Sequence, residues 1–224
     1  MKKTLIIVLF LLVNVVCKAQ NANPPNSSTW LEDTNGKLIR SNNYVDVDAN
    51  PYFPKKWTNG SVTLMSGKAI YYDALRYNTL SKNLEFQVAD KAYEVMNKIN
   101  EFKLGDVVFK NGFKPVNEQN EESFYQVLYD GKQKLLCHRT SSIYIDQPYN
   151  SATKTKKIDS IEKYYLQKSD GKMYEVKKNL RLLLALMGDS NKLLEEFCKK
   201  ENIRLKSWDD ASKILAYADG LEKP

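Results

Sequence analysis

Short runs of alternating apolar and polar residues follow one another from Ser61 to Phe109, and this pattern constrains the fold more than any other. The runs include SVTLM, AIYYD, NLEFQV and INEFKL, separated by short stretches rich in Gly, Ser, Asn and Asp. Alternation with a period of two is typical of strands. The spacers are too short for crossover helices, so the pattern predicts an antiparallel meander rather than parallel strands.

The meander continues into a hairpin over Ser123–Arg139, where two apolar-rich arms flank Asp130 and Gly131. Asp-Gly is a strong signal for a two-residue turn. Such a turn predicts that Ser123 lies opposite His138. Because side chains alternate between the faces of a sheet, one face of the hairpin should be core. The predicted core residues are Phe124, Leu128, Leu135 and Cys137.

The opposite face of the hairpin is rich in tyrosine and lysine, and it is the candidate binding surface. Its proposed binding residues are Tyr125, Tyr129, Lys132 and Lys134. Tyrosine combines an apolar ring with a polar hydroxyl, and lysine attracts anions. The partner itself is unknown, and an envelope protein, a polysaccharide and a lipid remain open alternatives.

Catalytic chemistry has little support in the sequence. His138 is the single histidine, and the hairpin register makes Ser123 its candidate partner, but nothing around Ser123 resembles a nucleophile elbow. The chain has neither an HExxH nor a CxxC motif, and we expect neither a metal site nor a cofactor. A non-enzymatic protein is therefore the leading prediction, with a hydrolase of unfamiliar type using His138 as the alternative.

The first residues predict export. A short basic start and an apolar run from Leu5 to Val16 precede small residues at Cys17 and Ala19. This is the pattern of a signal peptide over residues 1–19, and the apolar run is too short to span a bilayer comfortably. The mature protein would be periplasmic or extracellular. A lipoprotein acylated on Cys17 is the less favoured alternative, because Val16 stands where a small residue is needed.

Charge narrows the possible partners. Cleavage after Ala19 removes three lysines and lowers the formal charge from +7 to +4. A modest positive excess suits anionic envelope polymers or lipid head groups, although it also serves solubility. Export argues against nucleic acid as a partner. We also expect no membrane-spanning segment in the mature chain, because no second apolar stretch is long enough.

The remaining sequence predicts an α+β protein. Residues 20–60 are rich in Asn, Pro and Ser and predict an extended or partly disordered N-terminal segment. Residues 61–177 are predicted to form the antiparallel sheet, and the sequence leaves open whether this sheet is strongly curved. Polar residues 140–160 predict a mobile loop within it. Residues 178–224 show helical apolar spacing and predict about three helices packed on the sheet.

Two finer features concern the C-terminal region. Ser207 and Asp210 have the spacing of a capping box at the start of the last helix. Cys137 and Cys198 remain after signal cleavage, and the sequence leaves open whether they form a disulfide or serve as small apolar residues.

Several segments resemble secreted proteins of Bacteroidota-type bacteria that have no assigned activity. The resemblance lies in the signal peptide ending in Ala-Gln, in LRYN, INEFKLGD and FYQVLYDGKQKLL, and in the lysine-rich and leucine-rich tail. It covers most of residues 60–220. It implies export and a mainly antiparallel sheet with a helical end, and it implies no ligand or active site.

Overall fold

The computed structural model describes residues 36–39, 47–48, 50–147, 149, 154–188 and 191–221, and its main feature is one large sheet. The predicted signal peptide lies outside the described residues. The strands are β1 (Lys37–Leu38), β2 (Val47–Asp48), β3 (Tyr52–Leu64), β4 (Ala69–Asn78), β5 (Asn83–Val88), β6 (Lys91–Glu94), β7 (Ile99–Leu104), β8 (Val107–Lys110), β9 (Tyr125–Asp130), β10 (Lys134–Asp146), β11 (Thr155–Gln167) and β12 (Met173–Val176).

Neighbouring strands of the sheet are antiparallel, as the alternating runs predict. The order is β1-β6-β5-β4-β3-β7-β8-β9-β10-β11-β12, so β1 and β12 are its two edges. One pairing departs from the prediction: β2 runs parallel to β11 beside Lys156 and Lys157. This pair joins segments that are far apart in the chain, so local sequence patterns contain no sign of it.

Two predicted boundaries need correction. Strand β3 begins at Tyr52, inside the predicted N-terminal segment of residues 20–60. Most of the predicted mobile loop at 140–160 is also regular structure, because β10 extends to Asp146 and β11 starts at Thr155. The polar composition was misleading here, since β-branched and aromatic residues form cross-strand pairs such as Thr140–Ile161 and Tyr144–Lys157.

Three helices follow the sheet, which confirms the α+β class. They are α1 (Leu180–Leu186), α2 (Asn191–Lys200) and α3 (Trp208–Leu221). Asn179 caps α1 by accepting a hydrogen bond from the Leu182 N–H over 3.1 Å. At the start of α3, the Asp210 N–H donates to Ser207 Oγ and the Ser207 N–H donates to Asp210 Oδ2. The predicted capping box is therefore confirmed.

The core consists of three clusters of buried side chains. The first belongs to β3–β8 and is rich in aromatic residues, with Phe102 and Phe109 stacked at 4.7 Å between ring centroids. The second lies between the helices and β10–β12 and contains Leu135 and Leu166. The third is smaller and contains Phe113, Tyr125, Leu136 and Tyr165. Because Leu135 and Leu136 enter different clusters, both faces of β10 are covered at this point.

The hairpin between β9 and β10 has a different register from the predicted one. Asp130 pairs with Lys134, so the loop comprises the three residues 131–133, and a bulge follows between Leu135 and Leu136. Cys137 consequently lies opposite Gln126 rather than Phe124. The predicted core residues Leu135 and Cys137 are nevertheless buried, while Phe124 packs against the aromatic cluster and Leu128 against the helical one.

Candidate functional site

The predicted binding residues do not share one exposed face. Tyr125 is fully buried, with its ring centroid 5.3 Å from that of Phe113 and 5.6 Å from that of Tyr165. Burial raises the pKa of its hydroxyl. Tyr125 is therefore a core residue, and its assignment to an exposed binding surface was wrong because both faces of the sheet are covered here.

Tyr129 and Lys132 contact the last helix. The Tyr129 hydroxyl donates to Asp219 Oδ2 over 2.8 Å, and the Lys132 backbone N–H donates to the same oxygen over 2.9 Å. Burial and this carboxylate together raise the pKa of Tyr129 to about 12. A Cβ at Gly131 would lie only 2.0 Å from that oxygen, so a larger residue would displace the Asp219 carboxylate or the Tyr129 ring. These contacts fasten the hairpin to α3.

Lys134 belongs to a charged cluster at the start of β10. Its Nζ donates to Asp130, and the Nζ of Lys110 donates to the other oxygen of the same carboxylate over 2.9 Å. These hydrogen bonds lower the pKa of Asp130. Ion pairs this close to the surface contribute little stability. Since Lys134 is paired within the chain, it is a weak candidate for binding an external anion.

Ser123 and His138 are not brought together. Since Cys137 pairs with Gln126, the next position along places His138 opposite Tyr125, and their ring centroids are 5.2 Å apart. Ser123 Oγ instead donates to Asn120 Oδ1 over 3.1 Å. The predicted Ser–His pair was wrong because the longer loop and the bulge shift one strand against the other. The alternative of a hydrolase thereby loses its proposed nucleophile.

His138 is buried, and this makes acid sensitivity an expected property of the fold. Burial, together with the charges of Lys82 and Lys163, lowers the pKa of His138 to about 4. An unfolded chain would bind this proton near pH 6.5, so the unfolded state gains it first as the pH falls. The stability associated with His138 is therefore complete above about pH 6.5 and is lost progressively toward pH 4.

We expect the substitution His138→Gln to remove this part of the pH dependence. The wild-type free energy of unfolding should fall between pH 7.5 and pH 5 by about 1–2 kcal/mol more than that of the variant, because glutamine binds no proton in this range. Urea unfolding at the two pH values measures the difference. Parallel pH dependences for the two proteins would contradict the assignment.

The described cysteines and acidic residues form no metal or nucleophilic site. Cys137 and Cys198 are free and buried, and burial raises the pKa of Cys137 to about 11. A buried thiol of this kind is inert. In the part of the chain that the structure describes, no group of three or more His, Cys, Asp or Glu side chains is placed to hold a metal ion.

A buried charged network on β4 and β5 was missed by sequence reasoning. Arg76 Nε and Nη2 donate to Glu85 Oε2 over 3.0 and 2.7 Å, and Asn78 donates to Oε1 over 3.1 Å. The guanidinium carbon of Arg76 also lies 3.4 Å from the centre of the Tyr52 ring and 3.8 Å from that of Trp57. The charged and aromatic groups of this network are satisfied by one another, so we assign the network a structural role.

The outer part of the β10–β11 hairpin bears several exposed large apolar side chains. We call residues 140–146 and 155–161 the distal ribbon. Strand β9 pairs only with 134–137 of β10, and β12 pairs only with 164–167 of β11, so both stop short of it. The short strand β2 covers the edge of β11 at Lys156 and Lys157. The exposed fractions of the ribbon's large apolar side chains are 43% for Ile143, 47% for Tyr144, 63% for Ile145 and 40% for Ile161.

Basic residues accompany these apolar side chains. Lys154 immediately precedes β11, while Lys156 and Lys157 lie opposite Ile145 and Tyr144. Lys157 also forms an ion pair with Asp146. Ile143 and Ile145 lie on one face of the ribbon, whereas Tyr144 and Ile161 lie on the other. Contiguous exposed apolar surface is uncommon on soluble proteins and marks interaction sites, which makes the face of Ile143 and Ile145 the candidate. The sequence predicts a mobile loop for the segment that contains these lysines, and the structure shows which apolar residues lie beside them.

The fold and its exposed surfaces define an α+β protein with a projecting hairpin. Comparison with protein-family models, with curated proteins and with solved structures returned no match to this chain. None of the helices in the described residues is long and apolar enough to cross a membrane.

Proposed function

We propose that this chain is an exported, non-enzymatic protein that docks on an anionic lipid surface through the distal ribbon. The observation that carries the proposal is the exposure of Ile143 and Ile145 on one face of the ribbon, where Lys156 lies opposite Ile145. Apolar side chains favour the acyl boundary of a bilayer, and lysine favours anionic head groups.

The geometry supports a shallow, peripheral contact. Ile143 pairs with Ile158 across the ribbon, and Ile145 lies two residues further along on the same face. Burying this face contributes about 25 cal/mol per Å² of apolar surface. A lysine near an anionic surface adds about 1 kcal/mol. Lys157 adds less, because it is already paired with Asp146. The ribbon is too small to anchor the protein permanently, so the binding is reversible.

Export remains a prediction from the first residues, and the resemblance to secreted proteins supports it. Expression of the full chain in a bacterial host with an intact export pathway should give a mature protein that begins at Gln20. Intact mass spectrometry measures this. A mass that retains residues 1–19 would contradict export, and an added diacylglyceryl group on a chain beginning at Cys17 would establish the lipoprotein alternative.

Vesicle binding tests the docking proposal. The chain from Gln20 onward should co-sediment with vesicles of phosphatidylglycerol and phosphatidylcholine and much less with phosphatidylcholine alone, because the lysines require anionic head groups. The double substitution Ile143→Ser and Ile145→Ser should lower the partition coefficient by about five-fold or more, since it removes exposed apolar surface.

A matched control comes from two exposed leucines on the helices. Leu182 and Leu193 are 57% and 50% exposed, so replacing both with serine removes a similar apolar surface away from the ribbon. This control variant should bind vesicles as the wild type does. Equal losses in both variants, or the absence of binding to anionic vesicles, would refute the proposal. Binding to isolated envelope polysaccharide or protein instead would reassign the partner of the ribbon.

A further inference from the structure

A cleft of about 530 Å³ lies among α1, α2 and the segment that follows α2. Its floor is apolar: Leu184 and Cys198 are buried, and Leu180 and Ile203 are partly buried. All four belong to or pack against the helical core cluster, so the floor of the cleft is continuous with the hydrophobic core. The Ile203 N–H donates to the Cys198 carbonyl over 2.8 Å and holds the segment after α2 against the helix.

The rim of the cleft is positively charged. Arg181 comes from α1, Lys199 from the last turn of α2 and Arg204 from the segment beyond, and Glu195 is the only carboxylate among the lining residues. All four side chains are exposed. Within the described residues, the ion pairs do not include any of these three cations. The rim therefore presents three cations and one carboxylate, and the cations form no ion pair with the described residues.

We infer that this cleft binds a small amphipathic anion, with its carboxylate head at the rim and its acyl chain on the floor. Arginine pairs with carboxylates in a bidentate geometry, which suits Arg181 and Arg204 to the head group. The apolar floor suits a hydrocarbon chain. The volume lies within the usual range for sites that hold small ligands.

The cleft is separate from the distal ribbon, because the two have no residue in common. Its ligand is also of a different kind: the ribbon contacts the surface of a bilayer, whereas the cleft takes one molecule at a time. The inference therefore extends beyond the docking function, and each of the two can fail without the other.

Octanoate is a suitable probe, because it dissolves as single molecules and carries both the head and the chain. In a nitrogen-edited NMR titration of the chain from Gln20 onward, shifts should be concentrated in α1, α2 and residues 202–204. 1-Octanol has the chain but no charge, and acetate has the charge but no long chain. Each should therefore bind about ten-fold more weakly than octanoate. The double substitution Arg181→Gln and Arg204→Gln should weaken octanoate binding by a similar factor.

Lys192 and Lys200 provide the matched control, because both are exposed residues of α2 that do not line the cleft. Replacing both with glutamine changes the net charge equally and should leave octanoate affinity within about two-fold of the wild type. The inference is overturned if octanol binds as tightly as octanoate, or if both double variants weaken binding equally. It is also overturned if the shifts lie outside the cleft or do not occur.

Discussion

Replacement of Arg76 with methionine should lower the free energy of unfolding by about 3–5 kcal/mol. The guanidinium is the ionic partner of Glu85, whose side chain is only 6% exposed. Methionine keeps much of the apolar stem but loses the guanidinium contacts with the Tyr52 and Trp57 rings, and it leaves the carboxylate buried without a counter-charge. Urea denaturation at neutral pH measures the loss.

The substitution Glu85→Gln, added to Arg76→Met, shows which of two causes accounts for the loss of stability: the unpaired buried charge of Glu85 or the packing lost around Arg76. The new amide oxygen can still accept the hydrogen bond that Asn78 donates to Glu85 Oε1. The double variant should therefore be more stable than Arg76→Met alone, because no charge remains buried. If the two variants were equally stable, the loss would come from packing around Arg76 and not from the ion pair.

A second large effect is expected at Gly60, where β3 lies very close to β7. A Cβ at this position would lie 2.2 Å from the Lys103 carbonyl oxygen and 2.9 Å from Leu75 Cδ2. The first contact is with backbone, so the two strands must separate to accommodate the Cβ. We expect Gly60→Ala to cost about 2–4 kcal/mol, measured as the shift in the urea unfolding curve.

Gly220 in α3 is the matched control for Gly60. A Cβ there would have no heavy atom within 4 Å outside its own neighbours, and alanine favours helix over glycine. Gly220→Ala should therefore leave the stability unchanged or raise it slightly. A loss at Gly60 no larger than the change at Gly220 would show that the close approach of β3 and β7 does not constrain this position.

Features with local causes were predictable from the sequence. The period-two runs between Ser61 and Phe109 correspond to strands β3–β8, and their short spacers correspond to antiparallel connections. The capping box of Ser207 and Asp210 is also correct, because its two hydrogen bonds join residues three positions apart. In each case the interacting groups are close in sequence, so the local pattern contains the physical cause.

The candidate sites were less predictable, because their environment comes from distant parts of the chain. The Asp-Gly pair favours a two-residue turn, but Asp219 of α3 accepts hydrogen bonds from Tyr129 and Lys132 on either side of it. In the structure the loop has three residues, and His138 faces Tyr125 rather than Ser123. Alternation also assigns one face of β10 to solvent, whereas the structure covers both faces with separate clusters.

The sequence by itself determined the antiparallel meander, the helical end and the chemical character of each segment, since these follow from the spacing of apolar residues and from local hydrogen bonds. Only the tertiary structure decided which of these residues remain exposed. It buries Tyr125 and His138, leaves Ile143 and Ile145 in solvent, and gathers Arg181 and Arg204 around one cleft. Exposure depends on which distant elements pack together, and no local pattern encodes that.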